Sequence, residues 1–202
     1  MRMPELAVSR LGGDPAVDFF NTVDWRLDPE RRSERLTSYR HALAWLRQLE
    51  LLASADADRL ASLAAAEPER AAAEHSRILT LRDDSYAALV GDTSSPAALG
   101  RELPETQAAS RLERGDDGAW SWHPRTLDLA TPRHLLTLEL ARLFASPAVS
   151  GFHRCEDRHC GWVFLDTSRQ HNRRWCSSAD CGNRNRVRAH AERARLAATT
   201  PA

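Results

Sequence analysis

Cys155-Glu-Asp-Arg-His-Cys160 and, after fifteen intervening residues, Cys176-Ser-Ser-Ala-Asp-Cys181 decide the reading of this chain. Two close cysteine pairs at this separation have the spacing of a four-thiolate zinc site. Each pair supplies two ligands from one turn, and the strands between them bring the pairs together. Trp162-Val163-Phe164-Leu165 reads as a strand, Asp166-Thr167-Ser168 as a turn, and Arg174-Trp175 as the strand returning antiparallel. Ser177 or Ser178 then caps a helix that carries Cys181 in its first turn. The expected product is a small treble-clef-like module in which Cys155, Cys160, Cys176 and Cys181 hold one Zn2+. Four thiolates leave no open coordination position, so the metal is expected to be structural, contributing on the order of 10 kcal/mol to folding. Disulfides, free cysteines, an iron–sulfur cluster and ligation by His153, His159 or His171 are the competing readings. A reducing cytosol weighs against disulfides, and a complete sulfur shell weighs against histidine.

On the far side of the last cysteine, Val187, Ala191, Ala194 and Ala198 fall at i, i+4, i+7 and i+11, a narrow stripe expected to dock on the finger. Arg184, Arg188 and Arg195 border that stripe, while Arg186 and Arg193 point the other way. Arg169, Arg173 and Arg174 occupy the loop before the third cysteine. The formal net charge is zero, yet from residue 151 onward ten arginines face five carboxylates. A tail of +5 therefore follows a body of −5. The chain contains no lysine, which a GC-rich coding bias explains. A basic helix and a basic loop on a metal scaffold suit nucleic-acid phosphates. The competing reading is that some arginines only balance a zinc–tetrathiolate core of formal charge −2.

Before the finger, residues 1–147 read as a helical domain with one small β-hairpin, and residues 148–202 as the module just described. Asp14-Pro15 opens a short helix over 14–24. Ser33-Glu34 leads into a helical face of Leu36, Tyr39, Leu43 and Leu46. Further helices are expected over 56–66, 69–90 and 132–145, and from Ser95 to Leu103, stopping before Pro104. Gly115-Asp116-Asp117-Gly118 and the alternation of Trp120-Ser121-Trp122 predict the hairpin. Asp18, Asn21 and Thr22 put polar groups beside Phe19, Phe20 and Trp25. They are candidates for orienting a small ligand, or alternatively for local hydrogen bonds.

Cys160-Gly-Trp-Val-Phe-Leu-Asp-Thr-Ser168, Arg173-Arg-Trp-Cys176 and Cys181-Gly-Asn-Arg184 together resemble the CGNR zinc finger, named for the residues standing here at 181–184. Asp18-Phe-Phe-Asn-Thr-Val23 is similar to the signature of the domain called ABATE, found in bacterial proteins described as stress-induced transcription regulators. The resemblance implies a mainly α-helical ligand-sensing domain followed by a DNA-binding finger. It carries zinc ligation onto the four cysteines and a nucleic-acid role onto Asn183 and Arg184. The chain departs from the family after Arg184, where Asn185 and Arg186 stand in place of an alanine and a lysine.

The resulting expectation is a zinc-dependent DNA-binding transcription regulator. Arg169, Arg173, Arg174, Asn183, Arg184, Arg186, Arg188 and Arg195 are its candidate contacts to double-stranded DNA. The N-terminal domain would bind a small effector or form a homodimer. The alternative is a zinc-stabilised protein-interaction or RNA-binding module. No phosphate loop, nucleophile elbow or HExxH motif is present, so an enzyme is not expected. With no apolar run of membrane-spanning length and no signal-peptide pattern, the expectation is a soluble cytoplasmic protein without a membrane partner.

Overall fold

The computed structural model describes residue 4 and residues 8–91, 96–116 and 118–199, with side chains described as far as 196. Asp92, Ser95, Asp117 and the side chain of Ala198, on which some expectations fell, lie outside the described residues.

Helix α1 spans Pro15–Phe20. Asp14, extended at its N-cap, accepts a hydrogen bond from the Ala16 N–H, and Pro15 supplies a preset φ at the first position. The chain leaves the helix at Asn21 and forms β1 (Val23–Asp24), paired antiparallel with β2 (Ser33–Glu34). The helical face expected from Leu36 begins later. Ser38 caps α2 (Tyr39–Gln48) by accepting from the His41 N–H, and Leu36 is buried ahead of the helix. Helices α3 (Ser54–Ala66) and α4 (Pro68–Val90) follow, the latter ending at Gly91.

Helix α5 (Ala97–Ala109) runs straight through Pro104, contrary to expectation. Tertiary ion pairing overrides local propensity here. Glu102 and Glu105, on either side of the proline, both bind Arg77 and the fully buried Arg133. The hairpin appears as expected, as β3 (Ser110–Arg114) and β4 (Trp120–Pro124), and α6 (Thr131–Ala145) closes the helical part.

A 3-10 turn (Pro147–Gly151) leads into β5 (Phe152–Arg154), which pairs antiparallel with β6 (Val163–Leu165). This corrects the expected pairing of 162–165 with Arg174-Trp175. The ribbon's turn is the first cysteine pair itself, and 174–175 forms no strand. A single π turn (Ser178–Gly182), capped by Ser177, then opens α7 (Asn183–Thr199).

Strand β6 joins two cores. Successive side chains on a strand point to opposite faces. Val163 and Leu165 are buried in one cluster with Phe19, Phe20, Leu136 and Leu140 of the helical part, while Phe164 is buried among the four cysteines.

Candidate metal centre

The first two cysteines sit at the ends of the β5–β6 turn. The Cys155 N–H donates to the Trp162 carbonyl at 2.8 Å, and the Cys160 N–H to the Asp157 carbonyl at 3.0 Å. The other two bracket the π turn, which Ser177 fixes by accepting from the Asp180 N–H. Gly182 lets this turn close, because a Cβ there would stand 3.1 Å from the Trp175 ring.

The four sulfurs all lie within 4.8 Å of one another, and all four residues are buried. Cys160 and Cys176 are separated by 3.7 Å and Cys176 and Cys181 by 3.5 Å, far beyond disulfide length. Such spacing suits the edges of a tetrahedron around one ion with bonds of roughly 2.3 Å. The three neighbouring histidines are used elsewhere. His153 lies against the Phe164 ring, His159 Nδ1 stands 3.3 Å from Asp28, and His171 Nδ1 is 3.1 Å from the Asp166 carbonyl. The chemistry of this donor set is metal binding by four thiolates.

Around the sulfurs lies a second layer that sequence reading missed. Asp157, wholly buried, accepts from the His159 N–H, from Arg184 Nε at 3.2 Å and from Asn185 Nδ2 at 3.1 Å. Asn185 also donates to the Cys181 carbonyl, and Arg184 Nη2 donates to the Cys181 sulfur at 2.8 Å. The Arg184 guanidinium lies 4.6 Å from the centre of the Trp25 ring. Its pKa is raised: burial opposes its charge, but the Cys181 sulfur and Asp157 outweigh that cost. Arg184 is thus engaged with the metal cluster and the helical part while its side chain stays partly exposed. Asp157, lying between the first two cysteines, was the available signal. Trp25, more than a hundred residues away, gave none.

The helical part grips the metal turn through several further bonds. Asn21 Nδ2 donates to the Val163 carbonyl and Asn21 Oδ1 accepts from the Val163 N–H. Trp162 Nε1 donates to the Val23 carbonyl, the Arg26 N–H to the Cys160 carbonyl, and the Tyr86 hydroxyl to the Gly161 carbonyl. Gly161 has φ +72°, and a Cβ there would stand 2.8 Å from the Arg26 Cβ. Only glycine permits that approach without a shift.

The candidate ligand residues belong to the same seam. Asp18, buried, accepts from the Gly12 N–H at 2.7 Å, and burial pushes its pKa up to about 6. Thr22 donates to the Phe19 carbonyl and accepts from the buried Arg82, which also pairs with Glu34. With Asn21 bound to Val163, these side chains have internal partners, so their hydrogen-bonding capacity serves the fold.

The candidate nucleic-acid residues divide. Arg173 donates to the carbonyls of Leu11, Trp175 and Cys176 and lies 4.1 Å from the Phe164 ring, so it holds the loop. Arg174 pairs with Glu156. Arg186, exposed, donates to the Ser178 carbonyl, and Arg188 to the side chain of Asn185. Arg169, Asn183 and Arg195 are exposed. Helix α7 projects away from the finger, and the stripe expected to dock does not: Val187 is 61% exposed, and Ala191 and Ala194 are exposed. Trp162 and Trp175 are half-buried against the four cysteines.

Among the described residues no helix is long and apolar enough to cross a membrane. No curated protein matches the chain. Residues 152–194 match the model of the CGNR zinc finger, and residues 13–149 match the ABATE model, described as "Putative stress-induced transcription regulator". These are families of zinc-finger and regulatory proteins, not of enzymes. The chain belongs to the ABATE family and carries a CGNR zinc finger directly after its ABATE domain.

Proposed function

We propose that this protein is a cytoplasmic, non-enzymatic transcription regulator that binds duplex DNA through α7 once zinc occupies the four-cysteine site. The carrying observation is the projection of α7 from a closed sulfur cluster. Asn183, Arg186, His190 and Arg193 are all exposed on it, and no other described secondary-structure element beyond its own π turn packs closely along it. A helix of this kind fits the major groove, and its arginines would displace condensed counterions. Zinc rather than another ion suits four buried thiolates in tetrahedral spacing.

One finger offers one helix, so a homodimer reading two half-sites is part of the reading. The uncovered Val187–Ala191–Ala194 stripe is a surface on which a second copy could pack. For an effector, a groove away from α1 is better supported than the α1 residues named from sequence. This groove of about 600 Å³ is lined by apolar Leu103, Trp122, Leu135 and Leu138 and by charged Glu139 and Arg142. That size suits a small molecule.

The test is titration of the zinc-loaded chain onto a labelled duplex at several salt concentrations. The logarithm of the affinity should fall linearly with the logarithm of salt. Binding that ignores salt, or no binding at all, would remove DNA from the account. Association with a protein that survives nuclease treatment would then favour the interaction-module alternative.

A further inference from the structure

The β1–β2 loop, residues 25–32, belongs to the helical part, yet it ends up beside the root of α7. Trp25 anchors it there. Arg184 from α7 lies 4.6 Å from the Trp25 ring centre, and Arg31 from the loop lies 3.3 Å from the same point. Measured from one centroid, the two guanidinium carbons stand within about 8 Å of each other. That is inside one screening length at physiological salt, so the two charges feel each other.

Their situations differ. The Arg184 charge is taken up by Asp157 and the Cys181 sulfur. Arg31 is exposed and has no carboxylate within ion-pairing distance among the described residues. Arg32, next to it, is exposed with no side-chain partner among the described residues. Of the loop's acids, Asp28 is turned inward to His159, 3.3 Å away, while Glu30 shares the exposed surface with the two arginines. On α7, Arg188 lies one turn beyond Arg184 on the same helix face and donates only to a neutral partner, Asn185. Arginines without a carboxylate partner within ion-pairing distance among the described residues, Arg31 from the loop and half-buried Arg188 from α7, therefore flank the base of the helix, one from each part of the chain.

Resting on the DNA-binding reading above, we infer that the β1–β2 loop is a second phosphate-binding element, in which Arg31 and Arg32 take the backbone strand bordering the groove that α7 enters. Half or more of protein–DNA hydrogen bonds go to phosphate and sugar, and they set the register of the reading helix. Arg31, held against the Trp25 ring at the helix root, is placed for that task, with exposed Arg32 next to it in the chain. The acidic helical domain would then contribute directly to the interface.

The test uses the full zinc-loaded chain, a duplex of about 25 base pairs, and fluorescence anisotropy across a salt series. Each phosphate that the chain no longer neutralises should flatten the log–log salt slope by about 0.9. The Arg31→Ala/Arg32→Ala variant should therefore lose between one and two units of slope and bind roughly tenfold more weakly near 0.1 M salt, with zinc content unchanged. Arg32→Glu, at a side chain without a partner among the described residues, should weaken binding further and guards against a folding artefact. An unchanged slope in both variants, with the unsubstituted chain still binding, overturns the loop's role and leaves α7 as the DNA element. A weakened variant that has also released its zinc overturns it too, because the loop would then be serving the metal site. Absence of salt-dependent binding by the unsubstituted chain removes both readings together.

Discussion

The side-chain amide of Asn21 holds both backbone groups of Val163, donating to its carbonyl at 2.9 Å and accepting from its N–H at 2.8 Å. One side chain thus serves as a neighbouring strand would, on a residue beside the metal turn and 142 residues away in sequence. Val163 is completely buried, so neither of its groups has water as a substitute. Asn21→Ala should cost about 2–4 kcal/mol by leaving a buried donor and acceptor unpaired. Urea unfolding should show a lower midpoint with unchanged slope. Asn21→Asp should not rescue it, because a carboxylate would face the Val163 carbonyl with an acceptor in place of a donor. A midpoint unmoved by either change would show that the seam does not depend on this residue.

Removal of the metal should damage more than the finger. Val163 and Leu165 share a buried cluster with Phe19, Phe20 and Leu136, so loss of the sulfur cluster's order removes part of the helical core. Chelation should lower the melting temperature of the whole chain while keeping one transition. Trp45, buried in α2 and far in sequence from the cysteines, should report the same midpoint as far-ultraviolet circular dichroism. Two separate transitions, only one of them sensitive to chelator, would contradict a shared core.

Arg184 and Arg193 should separate cleanly. Arg184→Ala removes the donor to the Cys181 sulfur, the partner of buried Asp157 and the cation beside Trp25. Outer-layer partners of metal ligands typically govern affinity by about 10–100-fold. Competition with a chromophoric chelator should show a zinc affinity weakened by roughly that factor. Arg193→Ala, on the exposed part of α7, should leave zinc affinity unchanged and flatten the salt slope for DNA by about one unit. Equal zinc affinities in the two variants would return Arg184 to the role of a nucleic-acid contact.

Asp18 should give stability an unusual pH dependence. Its folded pKa is raised from 3.8 to about 6, chiefly by burial, so the folded state holds its proton to higher pH than the unfolded chain does. Stability contributed by this group is therefore complete below about pH 4 and lost as pH rises through about 6. The shift corresponds to roughly 3 kcal/mol at most. Asp18→Asn keeps an acceptor for the Gly12 N–H without the charge. Comparing zinc-loaded wild type and variant by urea unfolding at about pH 5 and about pH 7.5, the variant should gain relative stability at the higher pH. Parallel profiles would mean that the carboxylate is solvated in solution.

The local features were readable from sequence because local chemistry makes them. Asp14-Pro15 starts a helix, Trp120-Ser121-Trp122 alternates as a strand, and two cysteine pairs at the right spacing announce a metal. What escaped is non-local. Pro104 passes through a helix because Arg77 and Arg133 hold the glutamates on either side, and neither arginine is near in sequence. The partner of β6 is β5 rather than 174–175, a choice set by the cysteine turn between them. Asn21 and Trp25 carry no local sign that they face a finger more than a hundred residues downstream. The basic tail was visible as charge, but charge does not say which guanidinium is already occupied. Arg173 and Arg184 already have partners within the protein, and Arg31, in an acidic half, lies exposed against Trp25 at the root of α7.

One zinc ion bound by Cys155, Cys160, Cys176 and Cys181 would organise the joint between the helical domain and the finger. X-ray absorption at the zinc edge on the purified, zinc-loaded chain reads that coordination shell. One zinc per chain with four sulfur neighbours at about 2.3 Å is the expected result. Nitrogen or oxygen neighbours at about 2.0–2.1 Å in place of any sulfur, or a chain that excludes zinc with its cysteines paired as disulfides, would contradict it.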